Sequence, residues 1–205
     1  LSGAAHAVVT PQLAAGADHS LALRDDGKVF AWGDDGSGQL GTARAMFRST
    51  PVRVVWPNAY GIASVAAGAY HSLARTRDGQ LLSWGNNGEG QLGDGTLLSH
   101  GVPLRVGGLP AVAAMAAGEQ HTLAVASDGT VWAWGSNENG RLGVGNTELD
   151  KSLKPIAVGG LSAVKEVRAA RSHSMALART GEVLSWGSNT SGQLGDSTGR
   201  TRYAP

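Results

Sequence analysis

Four histidines recur at nearly constant spacing in this 205-residue sequence, and histidine serves proteins both as a metal ligand and as a general base. Intervals of 52, 50 and 52 residues separate His19, His71, His121 and His173, and each is followed by serine or threonine. Equal spacing places them at equivalent positions of successive structural units, much farther apart than the ~2 Å of a metal bond. The pattern therefore predicts structural histidines, each tying a tight turn to a neighbouring strand, and no metal site.

The segment Asp18-His19-Ser20 contains the three residue types of a serine-hydrolase triad. Adjacent residues of a strand point to opposite faces, so three consecutive side chains do not converge. The second repeat has Tyr70 where the acid would stand. The chain has no cysteine, which excludes thiol catalysis and thiolate zinc sites. These observations predict a protein that is not an enzyme.

Glycine-rich loops at residues 36–41 and 88–93 match the dinucleotide-binding pattern G-x-G-x-x-G. That pattern requires a following helix at the pyrophosphate, and no helical period follows either loop. Gln39 stands where a phosphate-binding loop has lysine. The acidic pair Asp34-Asp35 resembles the start of a calcium loop, but no bidentate glutamate follows at the required distance. We therefore expect no catalytic residue, no cofactor and no metal.

Charge is nearly balanced along the chain. Seventeen basic and sixteen acidic residues give a net charge of +1, so there is no basic field to attract nucleic acid or an anionic membrane. The opening residues 1–7 have neither a basic start nor a long apolar run, and no apolar stretch is long enough for a membrane span. We expect neither nucleic acid nor a membrane as a partner.

The histidines belong to a longer unit that repeats about every fifty residues. Tryptophans follow them at the same intervals: Trp32, Trp84, Trp134 and Trp186. Each unit runs from a small-residue stretch through His-Ser/Thr, a tight turn, Trp-Gly and a glycine-rich loop to a strand containing proline. The repeats cover approximately residues 1–55, 56–107, 108–159 and 160–205. Such a period predicts one repeat domain over residues 1–205.

Strand signals occur throughout the unit. Asp-Gly pairs such as Asp26-Gly27 favour tight hairpins, and the apolar residues around them alternate with period two, as in Leu21 and Leu23. The strand after each hairpin is apolar on both faces, which is typical of a sheet covered on both sides. These features predict an all-β fold, a β-propeller of four-stranded antiparallel blades with about four blades present.

Small residues mark the innermost strand of each predicted blade, where the sheets converge on the axis. Three copies read Ala-Ala-Gly, whereas the fourth reads Ala169-Ala170-Arg171. If the glycine position requires a positive φ, Ala170 is strained or its turn differs.

The combined pattern Ala-Ala-Gly-x-x-His-Ser/Thr, Asp-Gly, Trp-Gly-x-Asn and Gly-Gln-Leu-Gly resembles the repeat of the regulator of chromosome condensation family over all four units. The resemblance implies a seven-bladed ring, of which four blades sweep about 205° at about 51° each. An open arc exposes apolar faces, so we expect further repeats outside this segment, or self-association, to cover them.

Relatives of this repeat include a nucleotide-exchange factor for a nuclear small GTPase, a plant ultraviolet-B photoreceptor and a secreted bacterial β-lactamase inhibitor. Their shared property is protein binding and not one chemistry. The photoreceptor carries tryptophan two residues before several repeat histidines. Those positions here are Ala17, Ala69, Glu119 and Arg171, so the resemblance does not extend to light sensing.

Residues that vary beside invariant ones are free to recognise a partner. The sharpest contrast lies directly before the histidines, and by resemblance these positions line one rim of the propeller. The candidate partner-binding residues are Asp18, Tyr70, Glu119, Gln120 and Arg171. Tyrosine and arginine dominate protein interfaces, whereas the alternative interpretation is a set of ordinary solvated turn residues.

A second candidate patch combines Met46-Phe47-Arg48 with Trp56-Pro57-Asn58-Ala59-Tyr60, although Trp56 alternatively covers a blade edge.

Three functions remain open from the sequence. The first is a non-enzymatic scaffold that binds another protein through loops on one face. The others are a guanine-nucleotide exchange regulator of a small GTPase, and a secreted inhibitor-type or structural repeat array.

Overall fold

A computed structural model describes residues 9–44, 46–58 and 61–205. The opening segment and Ala59-Tyr60 of the second candidate patch lie outside these ranges. Among the described residues, the regular structure consists of fifteen strands and one short 3₁₀ turn, Glu138–Gly140. The prediction of an all-β chain is therefore confirmed.

The strands form four antiparallel sheets in which the spatial order of the strands follows the chain. The first sheet contains β1 (Gln12–Ala15), β2 (His19–Leu23), β3 (Val29–Gly33) and β4 (Arg48–Arg53), and the second contains β5 (Ile62–Ala67), β6 (His71–Thr76), β7 (Leu81–Gly85) and β8 (His100–Arg105). The third contains β9 (Val112–Ala117), β10 (His121–Ala126), β11 (Val131–Ser136) and β12 (Lys151–Val158), and the fourth contains β13 (Val164–Ala169), β14 (His173–Ala178) and β15 (Val183–Gly187). We call these sheets blades 1 to 4. In blade 4 the fourth strand is reduced to one bridge between Gly187 and Arg202.

Tight hairpins join the second and third strand of every blade. Their glycines, Gly27, Gly79, Gly129 and Gly181, all have φ between 78° and 94°. An L side chain rarely adopts that conformation, which explains why glycine returns at this point of each repeat.

The two faces of each blade pack against different neighbours. Leu21 and Leu23 of β2 are buried on the face of blade 1 that packs against blade 2. Their cross-strand partners on β3, Ala31 and Val29, are buried on the same face. The opposite face of each blade carries the repeat tryptophan. Three of these, Trp84, Trp134 and Trp186, have no exposed surface and lie in the core. Trp32 is only half-buried, because no described sheet precedes blade 1.

Small residues line the inner wall of the arc. The innermost strands β1, β5, β9 and β13 border one shared depression, formed largely by alanines such as Ala14, Ala66 and Ala116. Glycine at the end of such a strand has no positive φ, contrary to the condition considered from the sequence. A Cβ on Gly68 would instead lie 2.4 Å from the His71 ring and 2.4 Å from the Gly118 carbonyl oxygen. Space, and not backbone conformation, requires this glycine.

Candidate protein-binding rim

The varied residues lie in the turns between the first two strands of each blade. Each turn is closed by a backbone hydrogen bond, as from Gly68 N–H to the His71 carbonyl oxygen at 2.9 Å. The glycine of Trp-Gly supports the turn from below, since a Cβ on Gly85 would lie 2.7 Å from the Tyr70 carbonyl oxygen. Gly85 also has φ of 105°, a conformation that favours glycine. The backbone of the turn is thus held firmly while its side chains are free to vary.

Backbone hydrogen bonds join the turns of neighbouring blades into one continuous edge, here called the rim. Ala17 N–H donates to the Ala69 carbonyl at 3.2 Å, and Ala69 N–H donates to Gly118 at 3.2 Å. Glu119 N–H donates to Ala170 at 3.3 Å. The rim therefore extends from blade 1 to blade 4 without a break.

Beneath the rim, each of three histidines reaches the next blade. The ring Nε2 lies 2.9 Å from a hydroxyl oxygen in the pairs His19–Ser72, His71–Thr122 and His121–Ser174. Each hydroxyl donates its single proton to a carbonyl oxygen of the preceding blade, as Ser72 does to Gln39 at 2.8 Å. The hydroxyl must therefore accept from the histidine, which assigns the Nε2–H tautomer. The unprotonated Nδ1 of His71 has no hydrogen-bond partner among the described residues.

Burial keeps these histidines neutral. Desolvation lowers the pKa of His19 to about 4, and it lowers the pKa of His71 and of His121 to about 3. An uncharged, buried ring that donates a hydrogen bond to a hydroxyl links two neighbouring sheets, whereas the spacing had predicted a link between each turn and a neighbouring strand.

The same carbonyl oxygen also accepts the indole N–H of the next blade. Trp84 Nε1 donates to Gln39 O at 2.8 Å, and the pairs Trp134–Gln91 and Trp186–Arg141 repeat this at 2.9 Å. Histidine, hydroxyl, tryptophan and one loop carbonyl thus form a repeating node between blades. The node explains why these residue types return together in the sequence.

The five predicted contact residues all lie on the rim, with different exposure. Asp18 is exposed, the Tyr70 side chain is 39% exposed, and Gln120 is half-buried. The structure joins the remaining two across blades, because Arg171 Nε donates to Glu119 Oε2 at 3.0 Å. Arg171 remains 85% exposed in this pair, whereas the Glu119 side chain is 27% exposed. The sequence signal for the pair was opposite charge at equivalent positions of neighbouring repeats.

A shallow depression of ≈ 380 Å³ opens inside the rim. Its floor consists of alanine and glycine backbone from all four turns, and Tyr70, Glu119 and Arg171 stand at its edge. This arrangement offers an aromatic ring and a charged pair above a small-residue floor, which suits contact with protein side chains.

No described part of the chain offers a group of residues able to hold a metal ion. Within the same described ranges, no helix is long and apolar enough to cross a membrane.

The second candidate patch is divided between two edges of blade 1. Met46 and Phe47 are 61% and 74% exposed on the loop before β4, whereas Trp56 follows the other end of that strand. The Trp56 ring packs edge-on against Trp84, with centroids 5.7 Å apart. Trp56 therefore covers a blade, and it forms no common surface with Met46.

A buried acid in the loop of blade 1 was not recognised as such from the sequence. Asp35 is fully buried where the other blades have Asn87, Asn137 and Asn189. It accepts from Leu40 N–H at 2.9 Å and from the Thr42 hydroxyl at 3.0 Å. Burial raises the pKa of Asp35, with these hydrogen bonds acting in the opposite direction.

The sequence model of the RCC1-like domain matches residues 3–205. The probable E3 ubiquitin-protein ligase HERC6 of Homo sapiens is 37% identical over 205 residues, which cover 97% of this chain and 20% of that protein.

Solved propellers superpose closely. Human WBSCR16 gives a TM-score of 0.87 at 31% identity, covering 96% of this chain and 52% of that one. Yeast RCC1 (Prp20), solved bound to Kap60, gives 0.84 at 28% identity and covers 100% of this chain and 49% of its own. A second structure of Prp20 from Saccharomyces cerevisiae, described with its binding to Gsp1p and histones, gives 0.82 at 29% identity, covering 95% and 49%. The chain thus spans about half the length of these propellers and a fifth of the ligase.

Proposed function

Because this chain belongs to the family of RCC1-like domains, we propose that it is a non-enzymatic protein-binding domain whose partner contacts the rim. One observation carries the proposal: exposed side chains that differ from blade to blade stand on turns that nearly the same residues support in every blade. In blades 1 and 2, a buried histidine and the Trp-Gly glycine lie below the turn, and Asp18 or Tyr70 lies above it. Arg171 occupies the same place in blade 4, where the histidine is half-buried. A surface built in this way changes its specificity without changing the fold.

The rim also has physical properties that favour binding. Its turns are cross-linked by backbone hydrogen bonds, so little backbone freedom is lost when a partner docks. Tyr70 presents a rigid aromatic ring at the edge of the depression. Arg171 is held in place by Glu119 while its guanidinium stays 85% exposed and retains further donors.

The similar proteins support a binding role without identifying the partner. Prp20 was solved bound to Kap60 and is described as binding Gsp1p and histones, and it shares 28% to 29% identity with this chain. The ligase activity named for HERC6 belongs to a protein of which this chain covers 20%. We propose that this chain contributes recognition and no catalytic step.

Photocrosslinking tests which surface meets the partner. A photoreactive residue at position 70 is compared with one at Arg179, which is exposed in the hairpin at the opposite edge of blade 4. We expect the photoreactive residue at position 70 to crosslink to a partner protein. Excess unmodified chain should abolish this crosslink by competition, whereas excess Tyr70→Ala variant should not. Crosslinks from position 179 alone, or equal competition by both chains, would remove the rim from consideration.

Nucleotide exchange on a small GTPase is the second candidate, and it rests on the likeness to RCC1 (Prp20). A nucleotide-release assay with purified small GTPases decides it. If the chain accelerates nucleotide release and the variants Tyr70→Ala and Arg171→Ala accelerate it less, exchange is assigned to the rim. If the chain leaves the release rate unchanged, this candidate is excluded for the GTPases tested.

A further inference from the structure

In blades 1 to 3, the glycine directly after the innermost strand makes room for two groups at once. A Cβ on Gly16 would lie 2.3 Å from His19 Cε1 and 2.5 Å from the Gly68 carbonyl oxygen of the next blade. On Gly118 the distances to His121 Cε1 and to the Ala170 carbonyl oxygen are 2.3 Å and 2.6 Å. Blades 1, 2 and 3 share this contact. A methyl group there would displace both the histidine ring and the backbone of the following sheet.

Blade 4 has that methyl group. Ala170 stands at the glycine position. His173 is half-buried because no described sheet follows blade 4, so the inference rests on Ala170 and not on this exposure. A second change lies beside Ala170, because Arg168 pairs with Met175 in the register in which Ala66 pairs with Leu73 in blade 2. The Arg168 side chain is 71% exposed and pairs with Glu166. Both changes fall near the axis, on the face that in blades 1 to 3 packs against the following sheet.

The outer part of the same face keeps its apolar character. Met175, Leu177 and Val183 occupy the positions of buried Leu123, Val125 and Val131 in blade 3. Val183 is 59% exposed, and its counterpart Val131 is 1% exposed. An apolar surface of this kind is suited to cover by another sheet.

We propose that the open face of blade 4 is a seam, which receives a further sheet of the same repeat through its outer strands and holds that sheet away from it near the axis. We assign a sheet of the same repeat to this face because its outer strands carry the same apolar residues as the three described interfaces between blades. The separation follows from Ala170, because a clash with backbone is relieved only when a sheet moves. The node between histidine and hydroxyl is absent at the seam, and a gap opens beside Arg171 on the rim. This inference stands independently of the proposed partner.

The proposal can be tested in this chain by placing alanine, the residue of blade 4, at the glycine position of the complete interface between blades 3 and 4. In Gly118→Ala, we expect the Glu119 amide, which donates to Ala170, to exchange with solvent about tenfold faster or more. The pKa of His121 should rise from about 3 toward 6.5. The Trp186 indole N–H, bonded to Arg141 farther from the axis, should keep its protection.

Gly107→Ala is the matched control, because a Cβ there meets nothing within 4 Å. An unchanged Glu119 amide and an unchanged His121 in Gly118→Ala would overturn the seam.

The unmodified chain gives a second measurement that does not depend on how Gly118→Ala folds. We expect nuclear Overhauser contacts between the His19 ring and the Gly16 α-protons, and no corresponding contact between the His173 ring and residue 170. The same ring contact in blade 4 would overturn the proposal. So would a dimer in which a second copy buries His173 with a pKa as low as that of His71.

Discussion

His71 Nε2 lies 2.9 Å from Thr122 Oγ1, and the threonine hydroxyl donates a hydrogen bond to the Gln91 carbonyl oxygen at 2.8 Å. The direction of both hydrogen bonds is therefore determined, and the imidazole between blades 2 and 3 is neutral. The same relay recurs at the two other interfaces. It holds together the turns that carry the rim, so the surface proposed to bind a partner depends on the protonation state of buried histidines.

Acidification should destabilise the fold well above the range in which carboxylates titrate. The pKa values of His19, His71 and His121 fall from 6.5 to about 4, 3 and 3 because of burial. The unfolded chain therefore binds more protons than the folded chain below pH 6.5. The free energy of unfolding decreases as the pH is lowered from 6.5 to about 4. Each histidine removes up to about 1.4 kcal/mol per pH unit in this window. Urea unfolding at pH 7.5, 6 and 5 measures the loss, and a midpoint independent of pH would contradict it.

Thr122→Val removes the hydroxyl of the relay at nearly constant volume. His71 Nε2–H and the Gln91 carbonyl then lose one partner each in a buried site, so we expect a loss of about 1–3 kcal/mol in the free energy of unfolding. The exposed Thr147→Val serves as the control and should change stability by no more than about 0.5 kcal/mol. Equal effects of the two substitutions, measured by urea unfolding at pH 7.5, would exclude a structural role for the relay.

Asp35→Asn should stabilise the chain at pH 7 by about 1 kcal/mol, because it replaces a buried carboxylate with the amide used elsewhere. In blade 2, the amide of Asn87 accepts from Leu92 N–H at 3.0 Å and donates to the Thr96 carbonyl at 3.1 Å. The folded-state pKa of Asp35 is raised, so the native chain recovers stability relative to the variant as pH falls through that pKa. Urea midpoints should therefore converge in acid. The exposed Asp34→Asn is the control, and a stability gain of equal size there would argue against burial as the cause.

The pair Glu119–Arg171 should contribute little to stability. Arg171 is 85% exposed, and exposed pairs are worth about 0–1 kcal/mol and are screened by salt. We expect Glu119→Gln, Arg171→Ala and the double variant to unfold within about 1 kcal/mol of the parent, with any coupling lost at high salt. Thermal or urea unfolding at low and high salt measures this. A coupling larger than that at high salt would mean that the pair holds blades 3 and 4 together.

The sequence by itself determined the repeating unit, because the physics involved is local. Hairpin glycines such as Gly27 and Gly79 need a positive φ that is decided within one turn. Period-two alternation around Leu21 and Leu23 follows from the geometry of a single strand. The spacing of the unit, together with these strand signals, was enough to predict sheets stacked about an axis with small residues at the centre.

Only the tertiary structure decided which groups meet between sheets, since these contacts join residues about fifty positions apart. The sequence shows that His71 and Thr122 recur, but the relay between them exists only once neighbouring blades pack face to face. The pairing of Glu119 with Arg171 has the same origin. Gly68 is required by the approach of the next blade and not by its own φ, a distinction that depends on where a second sheet stops.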